Sequence, residues 1–160
     1  MIFSKKLILR QFFCGNILQY KKITLSLQPM NMLFTIEDLL SEERIRSNLT
    51  PFSVEKASGI SRQTILRIER HENYTVKYLL AYVNYLNLKL LINGIHCKTL
   101  ENLGEVLKRL RTRQGETLMT MAMKTKMEVS QILKIEKGRG YTKEILCRYI
   151  QVFPVNIDVQ

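Results

Sequence analysis

The segment LTPFSVEKASGISRQTILRIER, residues 49–70, reappears in altered form 67 positions later as ETLMTMAMKTKMEVSQILKIEK, residues 116–137. The two copies align without a gap, and the match continues to Ile92 in the first copy and Val159 in the second. Within it, ILRIER becomes ILKIEK, so both the apolar and the charged positions are kept. Self-similarity at a fixed offset indicates that one structural unit has been duplicated.

The repeat divides the 160-residue chain into a leader and two units. Residues 1–32 have no counterpart, whereas residues 33–95 form the first unit and residues 96–160 the second. The net charge of +11 is distributed as +5 on the leader, +1 on the first unit and +5 on the second. Because Thr35 is a suitable helix cap, we expect the first unit to begin near residue 33. Because residues 1–32 have no repeat counterpart, we expect the leader to be disordered or a misassigned start.

Apolar spacing predicts four helices in each unit. The residues that we expect the first and fourth helices to bury are Ile36, Leu39, Leu40, Ile45, Leu79, Val83 and Leu86 in the first unit, and Leu103, Val106, Leu107, Leu110, Leu146, Ile150 and Phe153 in the second. The candidate N-caps of the second, third and fourth helices are Thr50, Ser61 and Thr75, and in the second unit Thr117, Glu128 and Thr142.

A short extended segment follows the fourth helix in each unit, at residues 88–92 and 155–159, and Asn93-Gly94 closes the first of them. We expect these segments to pair as a small ribbon, within the chain or between chains. The recurring Glu69 and Glu136 are expected to satisfy a backbone or arginine group inside their unit. The recurring tyrosines are predicted as core or interface residues, and they are Tyr74, Tyr82, Tyr141 and Tyr149.

The segment 49–70 resembles the helix-turn-helix of the Cro and phage-repressor (XRE) family, and the segment 116–137 resembles it more weakly. The resemblance implies an all-α fold of two tandem lambda-repressor-like helix-turn-helix domains, each of which can be followed by a short β-strand. Both copies depart from the family pattern. Glu55 stands where a small alanine is usual and Pro51 where a glutamine is common, while Lys126 replaces the turn glycine and Glu128 the serine cap. We expect Lys126 to distort the second turn.

In this family, the start of the second helix of the motif lies in the major groove of DNA and reads the bases. Arg62 can take guanine and Gln63 adenine, while Ser61 and Arg67 are better suited to phosphate contacts. The predicted DNA-binding residues are Thr50, Ser61, Arg62, Gln63, Thr64, Leu66 and Arg67 in the first copy, and Lys124, Lys126, Ser130, Gln131 and Lys134 in the second.

The two copies need not contribute equally to DNA binding. Six basic residues are expected to surround the second unit with positive charge, and they are Lys108, Arg109, Arg111, Arg113, Lys124 and Lys126. One interpretation is that the second unit adds mainly nonspecific affinity. The other is that the first unit, with a net charge of only +1, serves as a pairing surface.

The rest of the sequence favours a binding protein over an enzyme. There is no glycine-rich phosphate loop, and no histidine or cysteine lies near a cluster of acids in the sequence; we therefore predict no catalytic residue, no cofactor and no metal. His71 and His96 are interpreted as ordinary solvated side chains. The three cysteines show neither a disulfide pattern nor metal-ligand spacing. No apolar run approaches the roughly 20 residues that cross a bilayer, so we expect no membrane contact and a cytoplasmic location.

These observations predict a sequence-specific regulator, most simply a repressor, that binds double-stranded DNA. Each helix-turn-helix unit that contacts DNA is called a head here. One chain with two heads resembles a covalently joined dimer, whose half-sites would lie about 34–36 Å apart on one face of the duplex. A homodimer of the whole chain is also open. The alternative function is that of an antitoxin, which would bind operator DNA and a protein toxin.

Overall fold

The computed structural model describes residues 29–160. The expectation for the leader, residues 1–32, therefore falls almost entirely outside the described residues. The described chain is mainly helical, with one small sheet. Its elements are α1 (Pro29–Arg46), α2 (Pro51–Ser58), α3 (Arg62–Glu69), α4 (Val76–Tyr85), β1 (Leu90–Ile92), β2 (Ile95–His96), α5 (Leu100–Arg113), α6 (Leu118–Thr125), α7 (Val129–Glu136), α8 (Lys143–Ile150) and β3 (Ile157–Val159).

The repeat seen in the sequence is also a repeat of structure. Helices α2 and α6 begin and end at positions 67 residues apart, and so do α3 and α7 and the strands β1 and β3. Helix α5 matches the last 14 residues of α1, so the correspondence extends toward the N terminus beyond the segment that the sequence alignment covered.

The N-caps of the second helix of each unit are confirmed. The Thr50 hydroxyl accepts a hydrogen bond from the Ser53 amide at 3.1 Å, and the Ser53 hydroxyl accepts one from the Thr50 amide at 3.0 Å. Thr117 and Thr120 repeat this reciprocal arrangement in α6. Thr75 and Thr142 occupy the N-cap positions of α4 and α8, but neither side chain makes a cap hydrogen bond.

The predicted start of the first helix is wrong. Helix α1 is already present at Pro29, the first described residue, so Thr35 lies inside it. Ile36 and Leu40 are buried as expected, but Leu39 and Ile45 are 40% and 61% exposed. In α5, Leu103, Val106 and Leu107 are buried and Leu110 is half-buried. The residues predicted to line the core from the fourth helices are all buried, and they are Leu79, Val83, Leu86, Leu146, Ile150 and Phe153.

The turns that precede α3 and α7 share one backbone geometry. Gly59 ends α2 with φ 72° and ψ 6°, and Lys126 ends α6 with φ 53° and ψ 40°. The distortion expected from the lysine is therefore absent, because Lys126 itself adopts the left-handed conformation that usually favours glycine.

The two extended segments pair within the chain, which confirms one of the two expected ribbons. Strand β1 lies between β2 and β3 and is antiparallel to both. Strand β2 was not predicted from the sequence. It follows β1 after a tight hairpin turn, in which Asn93 and Gly94 both have positive φ. The inner face of the sheet joins the hydrophobic core through Leu90, Ile92, Ile157 and Val159.

The backbone pairings between the two units define a pseudo-two-fold axis. In the sheet, Leu91 is the partner of Asp158, and in an isolated bridge Thr75 is the partner of Thr142. Each of these pairs joins equivalent residues of the two copies, so the axis passes between the members of both. Packing follows the same symmetry, since α1 contacts α8 and α4 contacts α5.

Within the described residues, no helix combines the length and the apolar character needed to span a bilayer.

Candidate nucleic-acid interface

Helix α3 exposes its N-terminal turn and buries its opposite face. Ile65 and Ile68 are fully buried, which confirms the predicted inner face, while Arg62 and Gln63 are exposed. The Ser61 hydroxyl accepts a hydrogen bond from the Thr64 amide at 3.3 Å and lies 2.8 Å from the Thr64 hydroxyl, so Ser61 is the N-cap as predicted. The first turn of α3, which carries Arg62 and Gln63, is therefore closed by the two contacts between Ser61 and Thr64.

Helix α2 also fixes the start of α3. The Arg62 amide donates a hydrogen bond to Glu55 Oε1 at 3.0 Å. Glu55 thus satisfies one of the backbone amides that a helix N-terminus leaves without an intrahelical partner. Thr50, by contrast, is committed to capping α2 through its hydroxyl and its amide.

Behind α3, a largely buried ion pair anchors the helix to α1. Arg44 donates to both carboxylate oxygens of Glu69, at 2.6 and 2.8 Å, and to the Leu49 carbonyl at 2.9 Å. The Tyr82 hydroxyl also donates to Glu69, at 2.7 Å. Burial, followed by the hydrogen bond to Glu69, raises the pKa of Tyr82 well above its usual value.

The second unit repeats this anchor. Arg111 donates to Glu136 at 2.6 and 3.0 Å and to the Glu116 carbonyl at 2.7 Å, and the Tyr149 hydroxyl donates to Glu136 at 2.8 Å. The structural role predicted for the two glutamates is thus confirmed. Arg111, however, is buried in this pair, so its predicted contribution to the positive surface of the second unit is wrong.

The arginine partners were not identified from the sequence. Continuing the offset of 67 residues toward the N terminus aligns Arg44 with Arg111 and Leu40 with Leu107. Two arginines at equivalent positions, each matched by a recurring glutamate, would have indicated the ion pairs.

Helix α7 presents a different set of side chains at the equivalent positions. Val129 and Ser130 replace Arg62 and Gln63, and Glu128 stands at the N-cap. The Gln131 side-chain oxygen accepts a hydrogen bond from the Glu128 amide at 3.1 Å, and the Ser130 hydroxyl donates to Glu128 at 3.1 Å. Two predicted DNA-binding residues are therefore engaged in closing the start of α7.

The predicted basic residues differ in their surroundings. Lys134 is exposed on α7, and Lys126 is exposed in the turn before it. Lys124 forms an ion pair with Glu116, and the side-chain hydrogen bond from Lys124 is the leading cause of the lowered pKa of that carboxyl. On α3, Arg67 is 3.8 Å from Glu72, with both side chains half exposed, so this pair is weak.

A groove at one end of the pseudo-two-fold axis, which we call the dyad groove, adjoins α3. It is lined by Thr64, Arg67, Asn73, Tyr74, Thr75, Tyr78 and Thr142. Because Thr75 and Thr142 lie beside the axis, the symmetry places Gln131 and Lys134 of α7 on the other side of the axis.

Leu66, predicted to point away from the core, is half-buried.

A second groove lies on the outer face of the sheet, beside Leu91 and Asp158. These residues mark the other point at which the axis leaves the molecule, so the sheet face and the dyad groove are at opposite ends of the axis. The surface that carries α3 and α7 is therefore distinct from the surface of the sheet.

A buried charge cluster joins the two units. Lys143 lies 2.7 and 2.9 Å from the two carboxylate oxygens of the fully buried Glu37 and donates to the His71 carbonyl at 3.1 Å. The Tyr74 hydroxyl donates to Glu37 at 2.6 Å. His71 Nδ1 is 2.7 Å from Glu37 and Nε2 is 3.2 Å from Asp38, so the prediction of an ordinary solvated histidine is wrong for His71.

The cluster occurs once and is not repeated. The positions equivalent to Glu37 and Lys143 hold Gly104 and Val76. Tyr141, equivalent to Tyr74, is also buried, but its hydroxyl has no hydrogen-bond partner among the described residues. At this cluster, therefore, the side chains do not follow the backbone symmetry between the units.

Comparison of the chain with protein-family models, with curated proteins and with solved structures found no match.

Proposed function

We propose that the chain is a sequence-specific regulator that binds double-stranded DNA through α3 and α7, as two helix-turn-helix heads of the XRE type. The observation that carries the proposal is the exposed first turn of α3. There, Arg62 and Gln63 project from a helix start that is fixed by Ser61, Glu55 and the Arg44–Glu69 pair. Arginine and glutamine are suited to bidentate contacts with guanine and adenine.

The charge of the surface supports the same proposal. Exposed basic residues on and after the two helices are Arg62, Arg67, Arg70, Lys134, Lys137 and Arg139. They accompany a net charge of +11, which favours a polyanionic partner. A duplex laid across the dyad groove would meet both helices from the same side.

The antitoxin alternative has less support. The extended segment after the fourth helix is similar to a strand that some kinase-neutralising antitoxins carry after their DNA-binding domain. In this chain the two segments pair with each other as β1 and β3 and join the units. DNA binding is therefore the function that the geometry supports best, and a toxin partner is a secondary proposal that needs a toxin gene beside this one.

The test is binding of the full chain to the DNA upstream of its own coding sequence and to a scrambled duplex, across a series of salt concentrations. We expect preference for the upstream DNA, with Arg62→Ala/Gln63→Ala abolishing the preference. The matched control is Lys89→Ala/Gln160→Ala, which also removes one cation and one amide but lies on the sheet face.

Equal and steeply salt-dependent binding to both duplexes would reduce the proposal to nonspecific charge attraction. Absence of binding at low salt would refute it. Loss of preference with Gln131→Ala/Lys134→Ala alone would transfer base reading to α7.

A further inference from the structure

The two heads are placed symmetrically but carry different reading residues. The pairs Leu91–Asp158 and Thr75–Thr142 relate α3 and α7 by the pseudo-two-fold axis. At the start of the two helices, however, the residues at equivalent positions differ: Ser-Arg-Gln-Thr at 61–64 corresponds to Glu-Val-Ser-Gln at 128–131. An inverted repeat in the DNA would offer identical half-sites to two heads that cannot read them identically.

The difference extends to the hydrogen bonds that each helix start makes. In α3 the cap is made by Ser61 and Thr64, which leaves Arg62 and Gln63 exposed. In α7 the cap uses Gln131, and Ser130 is bonded to Glu128. The side chains of α7 that could contact base edges are thus fewer, and a carboxylate stands at its N-cap.

The interface between the units is also built for unlike partners. Lys143 of the second unit neutralises the buried Glu37 of the first, with Tyr74 completing the site. If two first units paired by the same axis, each Glu37 would face Val76. If two second units paired, each Lys143 would face Gly104. The first arrangement would remove the ammonium group that pairs with each buried Glu37, and the second would remove the carboxylate that pairs with each buried Lys143; both losses are strongly unfavourable.

From these observations we infer that the protein's DNA target is non-palindromic. It has two unlike half-sites in a fixed order, one read through Arg62 and Gln63 and the other held mainly through backbone contacts, and it is bound by a single chain. This inference rests on the proposed DNA-binding function and specifies its substrate.

The experiment is selection of binding sites from a pool of random-sequence duplexes by the purified full chain, with the stoichiometry measured by analytical ultracentrifugation. We expect an enriched site without inverted-repeat symmetry and one chain per duplex. Arg62→Ala/Gln63→Ala should reduce discrimination in one half of the site by about 5- to 150-fold per contacted base and leave the other half unchanged.

A second variant, the graft, in which residues of α3 are transferred to α7, tests the inference in the opposite direction. The variant Glu128→Ser/Val129→Arg/Ser130→Gln/Gln131→Thr gives α7 the reading residues of α3 together with the cap pair that α3 uses. Leu66 and Leu133 are already identical, and Arg67 and Lys134 are both basic. The graft should convert the enriched site into an inverted repeat with unchanged spacing, and circular dichroism establishes that the variant is folded.

The outcomes separate the two proposals. An inverted repeat enriched by the unmodified protein, two chains per duplex, or a folded graft whose site stays asymmetric would overturn the inference and leave DNA binding intact. Failure of the unmodified protein to enrich any sequence would overturn the proposed function itself.

Discussion

Tyr74 and Tyr141 occupy equivalent positions, and both are buried, yet only one has a partner for its hydroxyl. Tyr74 donates to Glu37, whereas glycine at position 104 leaves Tyr141 without the corresponding carboxylate. A buried polar group without a partner loses its hydrogen bonds to water and regains nothing in the folded state. The contributions of the two hydroxyls to the free energy of unfolding should therefore differ in sign or in size.

Removing each hydroxyl measures that difference. We expect Tyr74→Phe to lower the free energy of unfolding by about 1–3 kcal/mol, because the hydrogen bond that is lost goes to a charged acceptor. Tyr141→Phe should leave the free energy unchanged or raise it slightly. Urea unfolding followed by circular dichroism gives both values. Equal losses for the two variants would contradict the assignment.

Among the elements, helix α5 approaches α7 through Gly104. A Cβ atom at this position would lie 2.6 Å from the Ile135 carbonyl oxygen and 2.7 Å from that of Glu136. Both neighbours belong to the backbone, so the helices would have to separate to admit it. Because α7 is one of the two proposed reading helices, its seat on α5 matters for function as well as for stability.

We expect Gly104→Ala to lower the free energy of unfolding by about 1–3 kcal/mol, the usual cost of overpacking. The matched control is Gly140→Ala, since a Cβ there meets no atom within 4 Å. Urea unfolding of both variants tests the contact, and a neutral result for Gly104→Ala would show that α5 and α7 are not seated as described.

The turn between α6 and α7 stores strain that its counterpart does not. Lys126 holds a left-handed conformation that costs an ordinary residue about 1–2 kcal/mol, and Gly59 avoids this cost. Lys126→Gly should therefore raise the thermal midpoint, with a gain of about 1 kcal/mol in the free energy of unfolding. Gly59→Ala should do the reverse. Destabilisation by Lys126→Gly would contradict the turn geometry.

The sequence was sufficient for elements with local signals and insufficient for contacts between distant segments. The caps Thr50, Ser61 and Thr117 follow from short patterns, and the repeat itself located α2, α3, α6 and α7. Thr35 was misinterpreted as a cap because nothing local distinguishes a cap from a threonine inside a helix. Glu37 and Lys143 are 106 positions apart, so no local pattern indicates their contact.

On the scale of the whole molecule, the core holds several weak acids in their protonated form. Burial raises the pKa of Cys97 and Cys147 from 9.0 to about 11. Burial also raises the pKa of the four recurring tyrosines above their usual 10.0. In the unfolded chain these thiols and phenols lose their protons at lower pH than they do in the folded protein.

Stability should therefore fall with increasing pH. The contribution of these groups is fully present below pH 9, and it is lost as the pH rises through their folded-state pKa values, because the unfolded state binds fewer protons there. We expect the urea midpoint to decline steadily from pH 9 to pH 11, with a shallower decline for Tyr141→Phe. A midpoint constant over this range would contradict the burial of these groups.

The most direct test of the central claim, that two heads on one surface bind duplex DNA, is hydroxyl-radical footprinting of the full chain on a duplex enriched from the random pool. We predict two protected segments on one face of the duplex, with centres roughly 34–36 Å apart, one of which weakens first in Arg62→Ala/Gln63→Ala. A single protected segment, or protection on opposite faces, would contradict the claim.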